Sequence, residues 1–291
     1  MAVYPNPRRA GALRWICITA GLAVALSAGL SPRTSLAQEP DVRLTPHRAV
    51  YDLKLVEARG KQSLQAVRGR IVYDFSGNAC EGYALQFRQV TELDTGEGRQ
   101  AMSDLRSTTW EDGAAKAFQF ASQNFLNQQE TSSTKGRAER DGSGVAVALT
   151  KPETKATTLD VPVVFPTEHV RKVIAAARAG KSLLEVSVYD GSDNGEKIYN
   201  TLAVIGKPIG PDKPSQDAVA SHAEVASLKR WPVTISYFDR SKRGGEQTPV
   251  YSIGFELYEN GISRELSLDY GDFVIAGTMT SLEIHDSKNC P

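Results

Sequence analysis

The sequence is poor in the residues that most often carry chemistry. It has four histidines, three cysteines and three methionines in 291 residues. His47, His169, His222 and His285 are spaced too widely to form a local metal pair, and neither His-Glu-x-x-His nor Cys-x-x-Cys occurs. Those absences exclude a zincin-type hydrolase and a zinc knuckle built from neighbouring ligands. A Gly-x-Ser-x-Gly nucleophile elbow is missing too, and Gly142-Ser143-Gly144, preceded by Asp141, has the composition of a turn. Excess charge of either sign is also lacking, with 34 Lys and Arg against 34 Asp and Glu. There is no internal repeat, no low-complexity tract and, beyond residue 37, no second long apolar run.

The first 37 residues stand apart. Arg8, Arg9 and Arg14 precede Trp15–Leu30, a charge-free run, and Ser35-Leu36-Ala37 offers small residues at the positions a signal peptidase reads. This order predicts a cleaved secretory signal with Gln38 as the new N-terminus. The apolar run is shorter than the roughly 20 residues of a spanning helix. Arg8-Arg9 lacks the context of a twin-arginine signal, and Cys17 lacks the small residues that precede a lipidated cysteine. Loss of the leader removes four arginines and no acid, leaving 30 basic against 34 acidic residues, a net charge of −4. Such a chain has no electrostatic reason to bind nucleic acid or an anionic surface. No transmembrane segment is expected in the mature chain.

Cys17 leaves with the leader, and Cys80 and Cys290 remain. In an oxidising compartment they allow one intramolecular bridge; two free thiols or an intermolecular bond are the alternatives. A loop of about 210 residues closed this way is worth about 5 kcal/mol in the chain-entropy account.

Period-two alternation runs through most of residues 38–291 and predicts an all-β, single-domain protein of antiparallel strands. Strands are expected at 50–56, 71–75, 83–90, 102–110, 116–120, 145–149, 184–189, 197–205, 231–238, 251–258, 262–270 and 273–284. Turns are expected near Gly60 and at Gly96-Glu97-Gly98, and Glu259-Asn260-Gly261 is the strongest hairpin signal. A Pro-, Gly-, Ser- and Ala-rich loop spans 206–229. One amphipathic helix interrupts the pattern, with Thr167 as expected N-cap, Gly180 past its end, and Val170, Val173, Ile174 and Ala177 on one face. It is expected to cover the inner face of a barrel-like or spiral sheet.

Three motifs invite a functional reading. Gly96-Glu97-Gly98-Arg99-Gln100-Ala101 resembles a dinucleotide fingerprint but sits in continuing β alternation, where no helix can receive a pyrophosphate. Asp190-Gly191-Ser192-Asp193-Asn194-Gly195 resembles the start of a calcium loop, yet its twelfth position is Thr201, not a bidentate carboxylate. His169 opens the helix, where a depressed pKa can poise an imidazole for catalysis. A packing role is the simpler reading. Aromatic residues such as Tyr73, Phe75, Trp231, Tyr237 and Phe238 read as β core.

Several stretches together resemble one known family. They are 69–75 (Gly-Arg-Ile-Val-Tyr-Asp-Phe), Cys80-Glu81-Gly82-Tyr83, Phe165-Pro166-Thr167-Glu168-His169, Tyr189-Asp190-Gly191, 230–238 (Arg-Trp-Pro-Val-Thr-Ile-Ser-Tyr-Phe) and 256–285. The chain is similar to the cell envelope integrity protein B (EipB) family of Gram-negative alphaproteobacteria, a periplasmic family long classed as of unknown function. The resemblance implies a spiral antiparallel sheet with a helix set against it and a disulfide carried onto Cys80 and Cys290. It also implies a role in envelope integrity under stress, with no catalytic, cofactor or metal residues. The leading expectation is therefore a non-enzymatic periplasmic protein acting through an envelope protein or lipid partner. A carrier or sensor for a lipid-like ligand in the concave face is the second reading, and a hydrolase using His169 the third.

Overall fold

The computed structural model describes residues 42–59, 64–96, 100–142, 144–213, 219, 222–241, 247–286 and 290. The expected leader, the turn residues Gly60, Glu97 and Gly98, Ser143 and part of the 206–229 loop lie outside them. Fourteen antiparallel strands form a single sheet. In chain order they are β1 (His47–Ala58), β2 (Ala66–Asn78), β3 (Gly82–Asp94), β4 (Gln100–Glu111), β5 (Ala117–Leu126), β6 (Gln129–Asp141), β7 (Gly144–Lys151), β8 (Lys155–Leu159), β9 (Leu183–Val188), β10 (Tyr199–Ile205), β11 (Arg230–Asp239), β12 (Tyr251–Tyr258), β13 (Ser263–Asp269) and β14 (Phe273–Ile284). The spatial order runs β8 to β1, then β14 down to β9. Sequence neighbours therefore pair everywhere except at β1–β14, which joins the two halves, and at β8 and β9, the two edges.

Alternation decides the faces. In β1, Ala49, Tyr51 and Leu53 are buried while Arg48, Asp52 and Lys54 are not, as expected for a sheet wet on one side. Strand β6 alternates only weakly, its even-numbered residues from 134 to 140 being the less exposed. Only Thr134 and Ala138 are buried along it, so its place depends on backbone pairing to β5 and β7. The β5–β6 turn uses Asn127 and Gln128, both with positive φ (51° and 69°). The expected hairpin at 259–261 is present. Gly261 N–H donates to the Tyr258 carbonyl at 2.9 Å and Gly261 has φ +90°, a type I turn followed by a left-handed glycine.

Between the two edge strands lies helix α1, Pro166–Arg178. Its start differs from the sequence expectation. Phe165 is the N-cap and Pro166 takes the first helical position, where its fixed φ suits the helix and its missing N–H costs nothing. Thr167 is already inside. The free N–H groups of Thr167 and Glu168 donate instead to the Glu111 carboxylate at the end of β4, at 2.7 Å each. The helix ends as expected: Gly180 has φ +71°, its N–H reaches the Ala177 carbonyl, and Lys181 N–H reaches that of Ala176, both at 3.0 Å. This is a Schellman closure. A second helix, the single turn α2 (Ala223–Ala226), lies in the loop where none was expected.

The sheet curls without closing by hydrogen bonds. Val164 bridges Val188 beside β9, and the chain leaving β9 lands on the inner face of β5–β7. There Tyr189 meets Phe118 and Phe120 edge-on at 6.5 and 5.8 Å, and Phe165 stacks on Phe118 at 5.2 Å. Gly191 is required in this landing. Its φ is +74°, and a Cβ there would lie 2.4 Å from the Phe120 ring. Strands β7 and β8 continue past the contact, so the molecule is a spiral. The buried face of α1 (Val173, Ile174, Ala176, Ala177) packs between β2–β3 (Phe75, Tyr83) and β10–β12 (Ala203, Val233, Leu257), spanning the inside of the curl. A second cluster lines β1, β2, β13 and β14 (Tyr51, Ile71, Leu268, Ile275).

Candidate functional site

Between those two clusters the interior is not filled. A cavity of about 420 Å³ is lined by inward residues of β2 and β3 (Tyr73, Phe75, Phe87), of β11 and β12 (Ile235, Tyr237, Tyr251, Phe255) and by the start of α1. Its size falls within the roughly 300–1,000 Å³ of small-molecule sites. Tyr73, Phe75 and Tyr237, read from sequence as core, line this cavity; Trp231 is core as expected, 4% exposed.

A second chamber of about 840 Å³ shares Leu85, Phe87, Thr109, Pro166 and Asp190 with the first. Its wall is different in kind. The inner faces of β4–β6 present Ser107, Ser122, Asn124, Ser132 and Thr134, with Asn124 Nδ2 donating to Ser132 Oγ at 2.8 Å. One interior thus has an apolar compartment beside the helix and a hydroxyl- and amide-lined one beside the landing loop.

His169 sits in the first turn of α1, 4% exposed. Burial lowers its pKa to about 4, so it is neutral at pH 7. Its Nε2 lies 3.4 Å from Thr201 Oγ1, whose hydroxyl donates to the Val186 carbonyl at 2.9 Å. His47, also on the cavity wall, has its Nδ1 2.7 Å from the Thr45 carbonyl and stacks on Tyr73 at 5.5 Å; burial lowers its pKa. Both line the one cavity, His169 from the helix end and His47 from β1. His222 pairs with Glu224 at 2.6 Å, and His285 Nε2 lies 2.9 Å from Asp74 Oδ1. Among the described residues no group of three or more His, Cys, Asp or Glu side chains could hold a metal ion.

Sequence reasoning missed two acids. Glu111 is 3% exposed, and burial pushes its pKa up to about 7 against the pull of the two helix N–H donors. Its only sequence signal is its place at the end of a strand, which does not reveal a cap in trans. Asp190 entered the sequence reading through a calcium-loop likeness and as part of the Tyr189-Asp190-Gly191 stretch, in neither case as a site residue. In the fold its carboxylate accepts the Ser192 N–H at 2.9 Å and sits where the two chambers meet, its pKa raised by burial. The would-be calcium loop is a 3-10 turn at Asp193–Gly195, with strand β10 starting at Tyr199.

Cys80 lies at the tip of the β2–β3 hairpin, where Asn78 Oδ1 accepts the N–H groups of Cys80 and Glu81. Beyond β14 the chain crosses toward that tip: His285 N–H bonds the Pro46 carbonyl and its ring meets Asp74 of β2. The Cys80 and Cys290 sulfurs lie at bonding distance, 2.10 Å, with the Cα atoms 5.8 Å apart, inside the usual disulfide range. No helix among the described residues is long and apolar enough to cross a membrane.

Comparison with known proteins adds a lineage to this geometry. The profile of the family described as EipB-like matches residues 38–286. The cell envelope integrity protein EipB of Brucella abortus (strain 2308) is 38% identical over 280 residues, covering 94% of this chain and 97% of that protein. A crystal structure described as a beta-barrel-like protein of a domain of unknown function, also from Brucella abortus, superposes with a TM-score of 0.78. It shares 36% identity and covers 84% of this chain and all of that one. By the profile match over most of its length and by that identity, the chain belongs to the EipB-like family.

Proposed function

We propose that this is an exported, non-enzymatic protein of the cell envelope that helps keep the envelope intact under stress. In this reading residues 1–37 are a leader removed on export, residues 38–291 form one periplasmic domain, and the Cys80–Cys290 bond clasps the end of the chain to the β2–β3 hairpin. The observation that carries it is the 38% identity, over nearly the full length of both chains, to a protein named for envelope integrity. The test is a deletion strain challenged with detergent and complemented with the full chain or with Cys80→Ser. Full restoration by the wild-type chain supports the reading; equal sensitivity with and without the gene refutes it. Non-reducing mass analysis of the exported protein checks the leader and the bond together.

A second reading has its own support. The apolar cavity between α1 and β11–β12 suits a lipid-like ligand, which makes the protein a carrier or sensor of such a molecule. Native mass spectrometry of protein purified from the periplasm should show adducts of lipid mass.

A further inference from the structure

The two chambers differ in wall chemistry but meet at a single charged side chain. Among the residues lining the apolar chamber, Asp190 is the one Asp, Glu, Lys or Arg. The other charges of the polar chamber are already matched: Lys197 pairs with Asp193 at 3.1 Å and with Asp239 at 3.4 Å, and Glu196 pairs with Lys155. None of the described ion pairs involves Asp190, whose carboxylate is held by hydrogen bonds from Ser192, the N–H among them at 2.9 Å.

Beside it stands an aromatic wall. Tyr237 and Tyr251 stack at 4.9 Å with planes 25° apart, Tyr199 meets Tyr237 edge-on at 6.1 Å, and Tyr270 continues the stack from Tyr251 at 5.9 Å. Burial raises the pKa values of Tyr199, Tyr237 and Tyr251, and in each the Asp190 carboxylate adds to the shift. The three rings and the acid therefore share one electrostatic neighbourhood. The ladder leads outward, since Tyr270 is 38% exposed.

A half-buried carboxylate with no cation partner among the described ion pairs, next to stacked phenol faces, is complementary to an ammonium group. Ring quadrupoles attract a cation within about 6 Å, and a carboxylate in a poorly solvated site gains most from an opposite charge. The same wall repels phosphate, sulfate and carboxylate heads. We propose that the two chambers form one amphiphile site, with the apolar chain beside α1 and an amine-bearing, cationic head held between Asp190 and the Tyr237–Tyr251 stack. This inference rests on the carrier reading above and narrows it to a class of head group.

The test uses the exported full chain titrated calorimetrically with three amphiphiles of equal chain length, each below its micelle concentration. They are dodecyltrimethylammonium, dodecyl maltoside and dodecyl sulfate. The expected order is ammonium tightest, by about tenfold over maltoside, and sulfate weakest. Asp190→Asn keeps an acceptor for Ser192 N–H and should bring the ammonium to the maltoside level without changing maltoside binding. Tyr251→Leu keeps apolar bulk and should also reduce the ammonium preference, which covers the case in which the Asp190 variant fails to fold. Ammonium and maltoside binding equally well, sulfate binding as well as ammonium, or an unchanged order in both variants overturns the head-group assignment while the carrier reading stands. Binding of none of the three overturns both.

Discussion

At the scale of single residues, two buried titrating groups at one helix end act in opposite directions. His169 has its pKa lowered to about 4 by burial. Between about pH 4 and 6.5 the unfolded chain binds a proton there and the fold does not, so stability rises with pH, by about 3 kcal/mol across the window. Glu111 has its pKa raised to about 7. From 4.5 to 7 the fold keeps the proton longer than the unfolded chain, so this group's contribution is greatest below 4.5 and is lost as pH rises, by about 3 kcal/mol. The two slopes oppose each other over the shared window. Relative to wild type, His169→Gln should therefore show stability falling with pH between 4.5 and 7. Glu111→Gln should show it rising more steeply, and urea midpoints measured against pH read both differences. Glu111→Ala removes the carboxylate that takes the Thr167 and Glu168 N–H groups and should cost about 1–2 kcal/mol at pH 7, the loss of an N-cap. The sequence pointed to a packing role and a depressed pKa for His169, through the helix start rather than through burial. The role of Glu111 could not be read, because burial of a lone acid depends on partners that come from elements far along the chain.

At the scale of elements, local chemistry was legible wherever one face is apolar. The strands at 83–90, 231–238 and 251–258 and the helix with its terminal Gly180 follow from alternation, 3.6-residue spacing and a left-handed glycine. Strand β6 was not legible, since Gln129–Asp141 is polar on both faces and gains its place from its neighbours' backbones. Strand β8, with Leu159 as its single buried side chain, was hidden for the same reason. The turn between β5 and β6 offers a clean check. Asn127 and Gln128 both adopt a conformation that costs an L-residue about 1–2 kcal/mol, so Gln128→Gly should stabilise the protein by about 1 kcal/mol and raise its melting temperature by a few degrees. At the landing loop the opposite holds. Gly191→Ala adds both a disfavoured φ and a clash with Phe120, and should destabilise by at least about 2 kcal/mol with loss of the Tyr189 packing signal in near-ultraviolet circular dichroism.

At the scale of the whole molecule, the longest connections matter most. Pairing of β1 with β14 and the Cys80–Cys290 contact both join early strands of the chain to its last residues. Cys290→Ser should lower stability by about 2–5 kcal/mol in urea unfolding, with the unfolded state expanding as its long loop is released. By itself the sequence determined the all-β fold class, the helix within the curl and membership of a family, because these depend on local periodicity, composition and motif order. Only the tertiary structure decided how the landing loop meets β5–β7 inside the expected spiral, that Glu111 caps α1 from another strand, and that Asp190 stands at the meeting of two chambers. Those facts arise from curvature accumulated over the sheet, which brings residues far apart in the chain into contact and leaves no trace in the pattern of neighbouring side chains.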